Sequence, residues 1–531
     1  MSSRELFGVT DELSSGEPLV RREEELALIG EMINQARYRA IPDNPRYPQH
    51  LAIYLTAIPG QGKTILAHQI ADRYAYPGPT DPDNVRRGHQ RWTASAFVDL
   101  PDRSDSVPTE AISVLNKVAA QLEDQLKPGG LDFNLFQLEA EAGWEEINEA
   151  AAGLVRWVYD RANQGLPVFV FDGAERLFPD DEFLDWFQDH FVSPLINYPR
   201  AFLVFAGRKE VPWPQYYVRD RFCSFSLPPF DSQSAEFGGD HGIKEKNQAR
   251  EILTPAKEKF PQVSEAWLNS YAYGHPLTSR VVVETLQSLP ASADLEDRRV
   301  QIVLADAIWE QVIKGCFFSE FSEQERTLLV PLCFVRDDGP GTLALYEKAL
   351  NEIQKRNLVN SSEPLSFRSL DEERTADHAL WAKRAISQVG LARYDHAGRV
   401  AMDKTARQIA SRCLAVLRPD KFRLFHQVAL EMNNYFLKEY PGNAGYILPE
   451  LCFHRFWFSI ASQVEANLFE LEIRDNFNRN LAKLAQMPDI SWDLGDILSS
   501  LKENLNQDEE LRGLFSRETY SYFLARVQRV F

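Results

Sequence analysis

The stretch Leu51-Ala-Ile-Tyr-Leu-Thr-Ala-Ile-Pro-Gly-Gln-Gly-Lys-Thr-Ile-Leu-Ala-His-Gln-Ile-Ala-Asp-Arg-Tyr74 decides the fold. An apolar run passes into a glycine-bearing loop and then into an amphipathic segment, which is the order strand, loop, helix. Within it, Ala57-Ile58-Pro59-Gly60-Gln61-Gly62-Lys63-Thr64 is the P-loop pattern with alanine in place of the first glycine. Gly60 and Gly62 let the backbone turn its N–H groups inward around phosphate oxygens, and the helix beginning near Lys63 adds its positive end to the same spot. Lys63 is expected to place a point charge on β- and γ-phosphates, with the Thr64 hydroxyl a magnesium ligand and Ile65 the next residue along the cradle.

Working outward, 531 residues exceed one ordinary core and imply several domains. Lys plus Arg number 58 against 77 Asp plus Glu, a net charge of −19 that disfavours nucleic acid as a partner unless one face is locally basic. Neither a bilayer-length apolar run nor the basic and apolar regions of a signal peptide occur, so no membrane association and a cytoplasmic location are expected. The five cysteines, Cys223, Cys316, Cys333, Cys413 and Cys452, have no metal-ligand spacing and read as free thiols.

Five apolar segments separated by helical patterns predict a parallel sheet covered on both faces: the strand before the P-loop, then Ser95–Leu100, Pro167–Asp172, Ala201–Ala206 and Cys223–Leu227. Helices are expected at Glu110–Leu126, Trp144–Asn163 and Asp181–Val192. Beyond Ser232 the strand signals stop, and short helices precede a longer one from Leu295 to Lys314. Helical patterns at Glu323–Leu332 and Leu343–Lys355 lead to Leu391–Tyr394 and Arg399–Met402, which flank a hairpin turn at 395–398. Helices then run to the end, including Asp403–Leu417, Asp420–Glu439 and Pro449–Glu472. The expected organisation is a leader over 1–17, a nucleotide-binding α/β domain over 18–231, a helical lid over 232–318, a winged-helix domain over 319–417 and an all-α region over 418–531.

A magnesium site built on Thr64 requires a second acidic residue at the end of another buried strand. Val168-Phe169-Val170-Phe171-Asp172 supplies it, placing the Asp172 carboxylate at the carboxyl edge of the sheet, where open α/β sheets bind ligands. Asp172 could instead cap a following turn. Glu175, three residues on, either prepares the attacking water or simply opens a helix. Arg208, just past the strand Ala201–Ala206, can reach a γ-phosphate and report its presence, or be surface charge. Gly274-His275-Pro276 starts a helix with proline one residue inside.

The order of these pieces resembles the STAND class of signal-transduction P-loop ATPases, the group of the NB-ARC and NACHT proteins. Val20-Arg21-Arg22-Glu23-Glu24-Glu25-Leu26 is similar to that family's N-terminal arginine motif, and the P-loop, VFVFDGAE, AGRKE, Leu227-Pro228-Pro229-Phe230 and Gly274-His275-Pro276 follow in the family's order. The resemblance covers about residues 18 to 417. It implies ATP/ADP and Mg2+ as ligands, with Arg22 and Pro276 near the adenine and Pro59, Gly60, Gln61, Gly62, Lys63, Thr64 and Ile65 around the phosphates. It further implies slow ATPase activity with Lys63, Asp172, Glu175 and Arg208 in the catalytic roles. Many relatives end the winged helix in Met-His-Asp, whose histidine touches the β-phosphate; here the place reads Met402-Asp403-Lys404, and a carboxylate facing phosphate would repel it. The expected function is a nucleotide-controlled switch that rearranges its domains, forms a nucleotide-dependent homo-oligomer or recruits a protein effector in trans, in signalling or defence. An AAA-like remodeller and a winged-helix DNA-binding regulator are the alternatives.

Overall fold

The apolar runs become a five-stranded sheet in the computed structural model, which describes residues 22–38, 51–78, 92–101, 107–128, 137–161, 164–177, 182–196, 200–230, 248–322, 325–326, 329–334, 336, 375–394, 400–461, 466–486 and 494–530. The strands are β1 (Ala52–Thr56), β2 (Trp92–Asp99), β3 (Gly165–Asp172), β4 (Phe202–Gly207) and β5 (Phe222–Ser226), in the spatial order β2-β3-β4-β1-β5. β3 runs parallel to both neighbours, with Asp99 beside Asp172 and Asp172 beside Ala206. This is the parallel α/β sheet of the P-loop NTPase fold. One strand, β4, stands between the strand that enters the P-loop and the strand that ends in Asp172.

Over β1, β3 and β4 both faces of the sheet are covered, which is why these strands read as continuous apolar runs, whereas the edge strand β5 alternates with exposed serines. Alternate residues Tyr54, Ala96, Phe169, Phe171, Leu203 and Phe205 join one core with α-helices at Val107–Leu126, Trp144–Arg161 and Glu182–Phe187. The intervening Ile53, Leu55, Val168, Val170 and Val204 are buried on the other face. There the helix Lys63–Arg73 packs, its His68 ring stacked 3.7 Å from Phe97 and its Ala71 carbonyl accepting from the Ser95 hydroxyl. The helix Glu182–Phe187 passes through a π-helical turn, Gln188–Val192, before ending at Ser193–Ile196.

Strand β2 lies at an edge of the sheet, and one helix closes that edge. Gln121 accepts from the Phe97 N–H at 2.8 Å and donates to the Phe97 carbonyl at 2.6 Å. Gln125 does the same for Ser95, at 3.1 and 2.7 Å, and Lys117 donates to the Asp99 carbonyl at 3.1 Å. Positions four apart on a helix advance about 6 Å, close to the roughly 6.6 Å between every second residue of a strand. Three side chains on one helical stripe thus stand in for a neighbouring strand and satisfy groups that would otherwise template aggregation.

The described chain falls into two compact units. One holds the sheet and its helices up to residue 254, apart from 56–62 and 208–210, which group with residues 255 onward in the other unit. The helix Gln248–Lys259 is divided between the units at residue 254, and the second unit continues with helices Glu265–Ala272, Pro276–Ser288 and Arg298–Ile308, the last continuing as a π-helix over Trp309–Phe317. Ala392–Tyr394 and Val400–Met402 pair as an antiparallel hairpin between helices Thr375–Gln388 and Lys404–Leu417. The hairpin turn at 395–398, the helical pattern at 343–355 and the leader at 1–17 lie outside the described residues, and the described end of the pattern at 323–332 is a 3-10 turn, Val330–Phe334.

The helix read from Pro449 to Glu472 is two helices, Ala444–Ala461 and Ala466–Ala485. Pro449 sits inside the first rather than starting it. A proline there withholds its N–H from the carbonyl four residues back, that of Gly445. Asn504 supplies the missing donor, its side-chain amide lying 3.0 Å from the Gly445 oxygen. With the partner group provided from another helix, proline no longer marks a boundary.

Candidate functional site

Every strand of a parallel sheet presents its carboxyl end to the same edge, so Asp99 and Asp172 emerge side by side. The Thr64 hydroxyl, at the second position of helix Lys63–Arg73, donates to Asp172 Oδ2 at 2.7 Å across 108 residues of sequence. Lys63 is buried just before it. Burial pushes the Asp172 carboxyl above its ordinary range; the Thr64 hydrogen bond and Lys63 oppose that, while Glu175 and Asp99 add to it. The site is therefore a hydroxyl and a desolvated carboxylate among further acids, which are hard oxygen ligands suited to Mg2+.

After Asp172 the chain turns through Gly173 in the left-handed region, φ 79°, into a 3-10 turn, Ala174–Arg176. That turn brings Glu175 Oε2 to 3.1 Å from where a Cβ on Gly207 would stand, at the end of β4. Arg176 returns to the edge, pairing with Asp99 Oδ1 at 2.8 Å and donating to the Leu100 carbonyl. Glu175 thus stands on a short turn at the sheet edge rather than on a longer helix.

Arg22 is buried with its guanidinium held by Glu25 Oε1 at 2.8 Å and the Pro228 carbonyl at 2.9 Å, and it lies 4.3 Å over the Phe230 ring. Burial lowers its pKa, against the pull of Glu25. Two motifs 206 residues apart are joined by this one side chain. Ile65, by contrast, is 44% exposed beside Thr64.

In the second unit, the loop carries Gly60 at φ 78° and Gly62 at φ 91°, both left-handed, with Gln61 buried between them. A Cβ on Gly60 would come within 2.9 Å of both His275 Cε1 and Leu277 Cβ, so glycine is required there by space as well as by φ. The chain enters that contact through two left-handed residues, Tyr273 at φ 48° and Gly274 at φ 71°. His275 caps the helix that Pro276 begins, and its Nε2 lies 2.9 Å from the Pro59 carbonyl. The Leu277 N–H donates to the Gly60 carbonyl at 3.3 Å. Sequence reading named Pro276 and passed over His275; the polar residue at the position before a helix-starting proline is the signal that could have found it.

Arg208, in the same unit, pairs with Glu320 Oε1 at 2.6 Å and lies against Gly390, where a Cβ would come within 2.7 Å of the Arg208 carbonyl oxygen. Asp403 caps its own helix, Oδ1 accepting from the N–H groups of Thr405 at 2.8 Å and Ala406 at 3.1 Å. Asp403 is thus the N-cap of the helix Lys404–Leu417. Among the described residues no cluster of three metal-ligating His, Cys, Asp or Glu side chains occurs, and none of the five cysteines forms a disulfide. No described helix is long and apolar enough to cross a membrane.

Neither a family model nor a curated protein matches the sequence. Solved structures do resemble its fold. The Walker-type ATPase PABY2304 of Pyrococcus abyssi aligns over 74% of this chain and 96% of its own at 13% identity and a TM-score of 0.41. The Aeropyrum pernix ORC1 protein, in complex with DNA, aligns over 77% and 94% at 14% identity and a TM-score of 0.33.

Proposed function

We propose that the chain binds ATP and ADP with Mg2+ at the segment Ala57–Thr64 and uses the bound nucleotide as a switch, hydrolysing ATP slowly. The observation that carries this reading is the 2.7 Å hydrogen bond from Thr64 to Asp172, the strand-end carboxylate expected beside it. Mg2+ supplies charge neutralisation between phosphate oxygens when bound. Thr64 and Asp172 would hold it, directly or through water, and Lys63 would neutralise the phosphates. The loop N–H groups and the helix beginning at Lys63 would cradle phosphate oxygens. Glu175 would orient or deprotonate the attacking water, and Arg208 would sense the γ-phosphate once released from Glu320. Arg22 acts on the base indirectly, by fixing the segment Pro228–Phe230. A switch needs differential contacts in its two nucleotide states, and Arg208 is the group that distinguishes them. The domains proposed to move are the lid over 232–318 and the winged helix over 319–417, with partner recruitment or self-assembly as the output.

Titration with ATP and ADP, with and without Mg2+, tests the site in wild type, Lys63→Ala and Thr64→Ala. Lys63→Ala should abolish binding and Thr64→Ala should remove the Mg2+ dependence; unchanged ATP affinity in Lys63→Ala refutes the assignment. Solution mass measured in ADP and in a non-hydrolysable ATP analogue tests the switch, and rapid steady turnover in an oligomer of constant size would favour the remodeller instead.

A further inference from the structure

His275 has two hydrogen-bonding neighbours whose polarity is fixed, and together they determine its protonation. Nδ1 receives the Thr278 backbone N–H at 3.3 Å, a group that can only donate, so Nδ1 carries no proton and also accepts from the Thr278 hydroxyl at 2.8 Å. The ring proton therefore sits on Nε2 and is donated to the Pro59 carbonyl, a group that can only accept, at 2.9 Å. The ring is fully buried, faces the edge of Phe317 at 5.4 Å between centroids, and its own carbonyl accepts from the Ser279 N–H and hydroxyl. Such a ring has no freedom to turn. It is a fixed donor aimed at one peptide of the glycine loop, 216 residues away in sequence.

The neighbouring Gly60 carbonyl is taken in the same way by the Leu277 N–H. Two successive loop carbonyls are thus drawn toward the start of helix Pro276–Ser288. In a tight loop the peptide planes that turn their oxygens to one side turn N–H groups to the other. We propose that His275 is a positioning residue for phosphate: its Nε2–H holds the Pro59 peptide so that the loop N–H groups are already arrayed when phosphate arrives. The ligand chemistry it serves is the polyphosphate chain, not the base. This rests on the reading of Ala57–Thr64 as a phosphate cradle.

The two ring nitrogens can be separated by substitution. His275→Asn keeps a side-chain acceptor near the Nδ1 position, and with it the helix cap, but cannot reach Pro59; His275→Gln places an amide donor near the Nε2 position. Affinities for ATP, ADP and tripolyphosphate, which has neither base nor ribose, are measured for both variants with Lys63→Ala as control. His275→Asn should lose about three- to tenfold for all three ligands, the scale of one preorganising hydrogen bond. His275→Gln should recover most of that loss, and the thermal midpoint without ligand should not follow the affinities. Wild-type affinity in His275→Asn overturns the proposal. So does a loss confined to ATP and ADP, which would place the histidine at the base, or equal losses in both variants that track unfolding. If Lys63→Ala itself binds tripolyphosphate like wild type, the cradle reading has failed instead.

Discussion

Replacing Glu320 by alanine should raise affinity for ATP without raising affinity for ADP, and the structure bounds the gain. Arg208 is bound to Glu320 through one oxygen at 2.6 Å, and the Glu320 side chain is 57% exposed. A pair open to solvent on one side is worth about 0.2–1 kcal/mol, because water competes for the carboxylate and two long side chains are ordered to form it. Removing the carboxylate therefore increases the fraction of released Arg208 by about 1.4- to fivefold, and a ligand that needs released Arg208 gains by no more than that factor. On the proposed reading a γ-phosphate needs it, and ADP has none. Competition binding of ADP and a non-hydrolysable ATP analogue, in wild type, Glu320→Ala, Arg208→Ala and the double variant, measures the effect directly. The difference should shrink at about 0.5 M salt, where exposed pairs are screened. An equal gain for ADP, a gain far above fivefold, or a gain that persists in the Arg208→Ala background would each refute the assignment of Arg208 as the γ-phosphate sensor.

Three further outcomes follow from other parts of the molecule. Asp172→Asn should raise the thermal midpoint of the ligand-free protein, since burial penalises the native carboxylate, while removing the Mg2+ dependence of nucleotide affinity; a lower midpoint contradicts it. Gln121→Leu leaves both polar groups of Phe97 without their partner on the half-buried edge strand, which should cost about 1–3 kcal/mol and be read as faster hydrogen exchange at the Phe97 amide and increased aggregation. Burial would raise the Glu450 carboxyl, but Arg336 and His454 outweigh it and hold it down to about 2. A depressed carboxyl stabilises the fold above its ordinary value and loses that contribution as pH falls toward about 2, so acid unfolding followed by circular dichroism should be less steep in that window in Glu450→Gln.

The parts legible in the sequence were those with a local period or a local steric demand. Helix and strand positions followed from apolar spacing: Gly165–Asp172 and Val107–Leu126 extend the expected segments by only a few residues, because the added positions continue the same pattern. Where a rule was local but its exception was not, reading failed. Pro449 looked like a helix start, since nothing near it in sequence shows that Asn504 accommodates the carbonyl it leaves bare. Asp403 was legible as a carboxylate at a helix start, but the groups it engages were not, because sequence does not give the direction of a side chain; its Oδ1 accepts from the N–H groups of Thr405 and Ala406.

Ala57–Thr64 stood out alone, because the P-loop demands particular residues at adjacent positions, and the aspartate-ended run Val168–Asp172 stood out through it, because a magnesium site on Thr64 demands a carboxylate at the end of another buried strand. What sequence by itself determined was therefore an α/β sheet with a glycine loop at one strand end and a carboxylate at another. Tertiary structure alone decided that Thr64 bonds Asp172 directly although β4 separates their strands, that Glu320 holds Arg208, and that His275 touches the loop. These contacts join residues 108, 112 and 216 positions apart, and no local period constrains such pairs. They come into being only when strand order and helix placement are set by burying apolar surface over the whole chain.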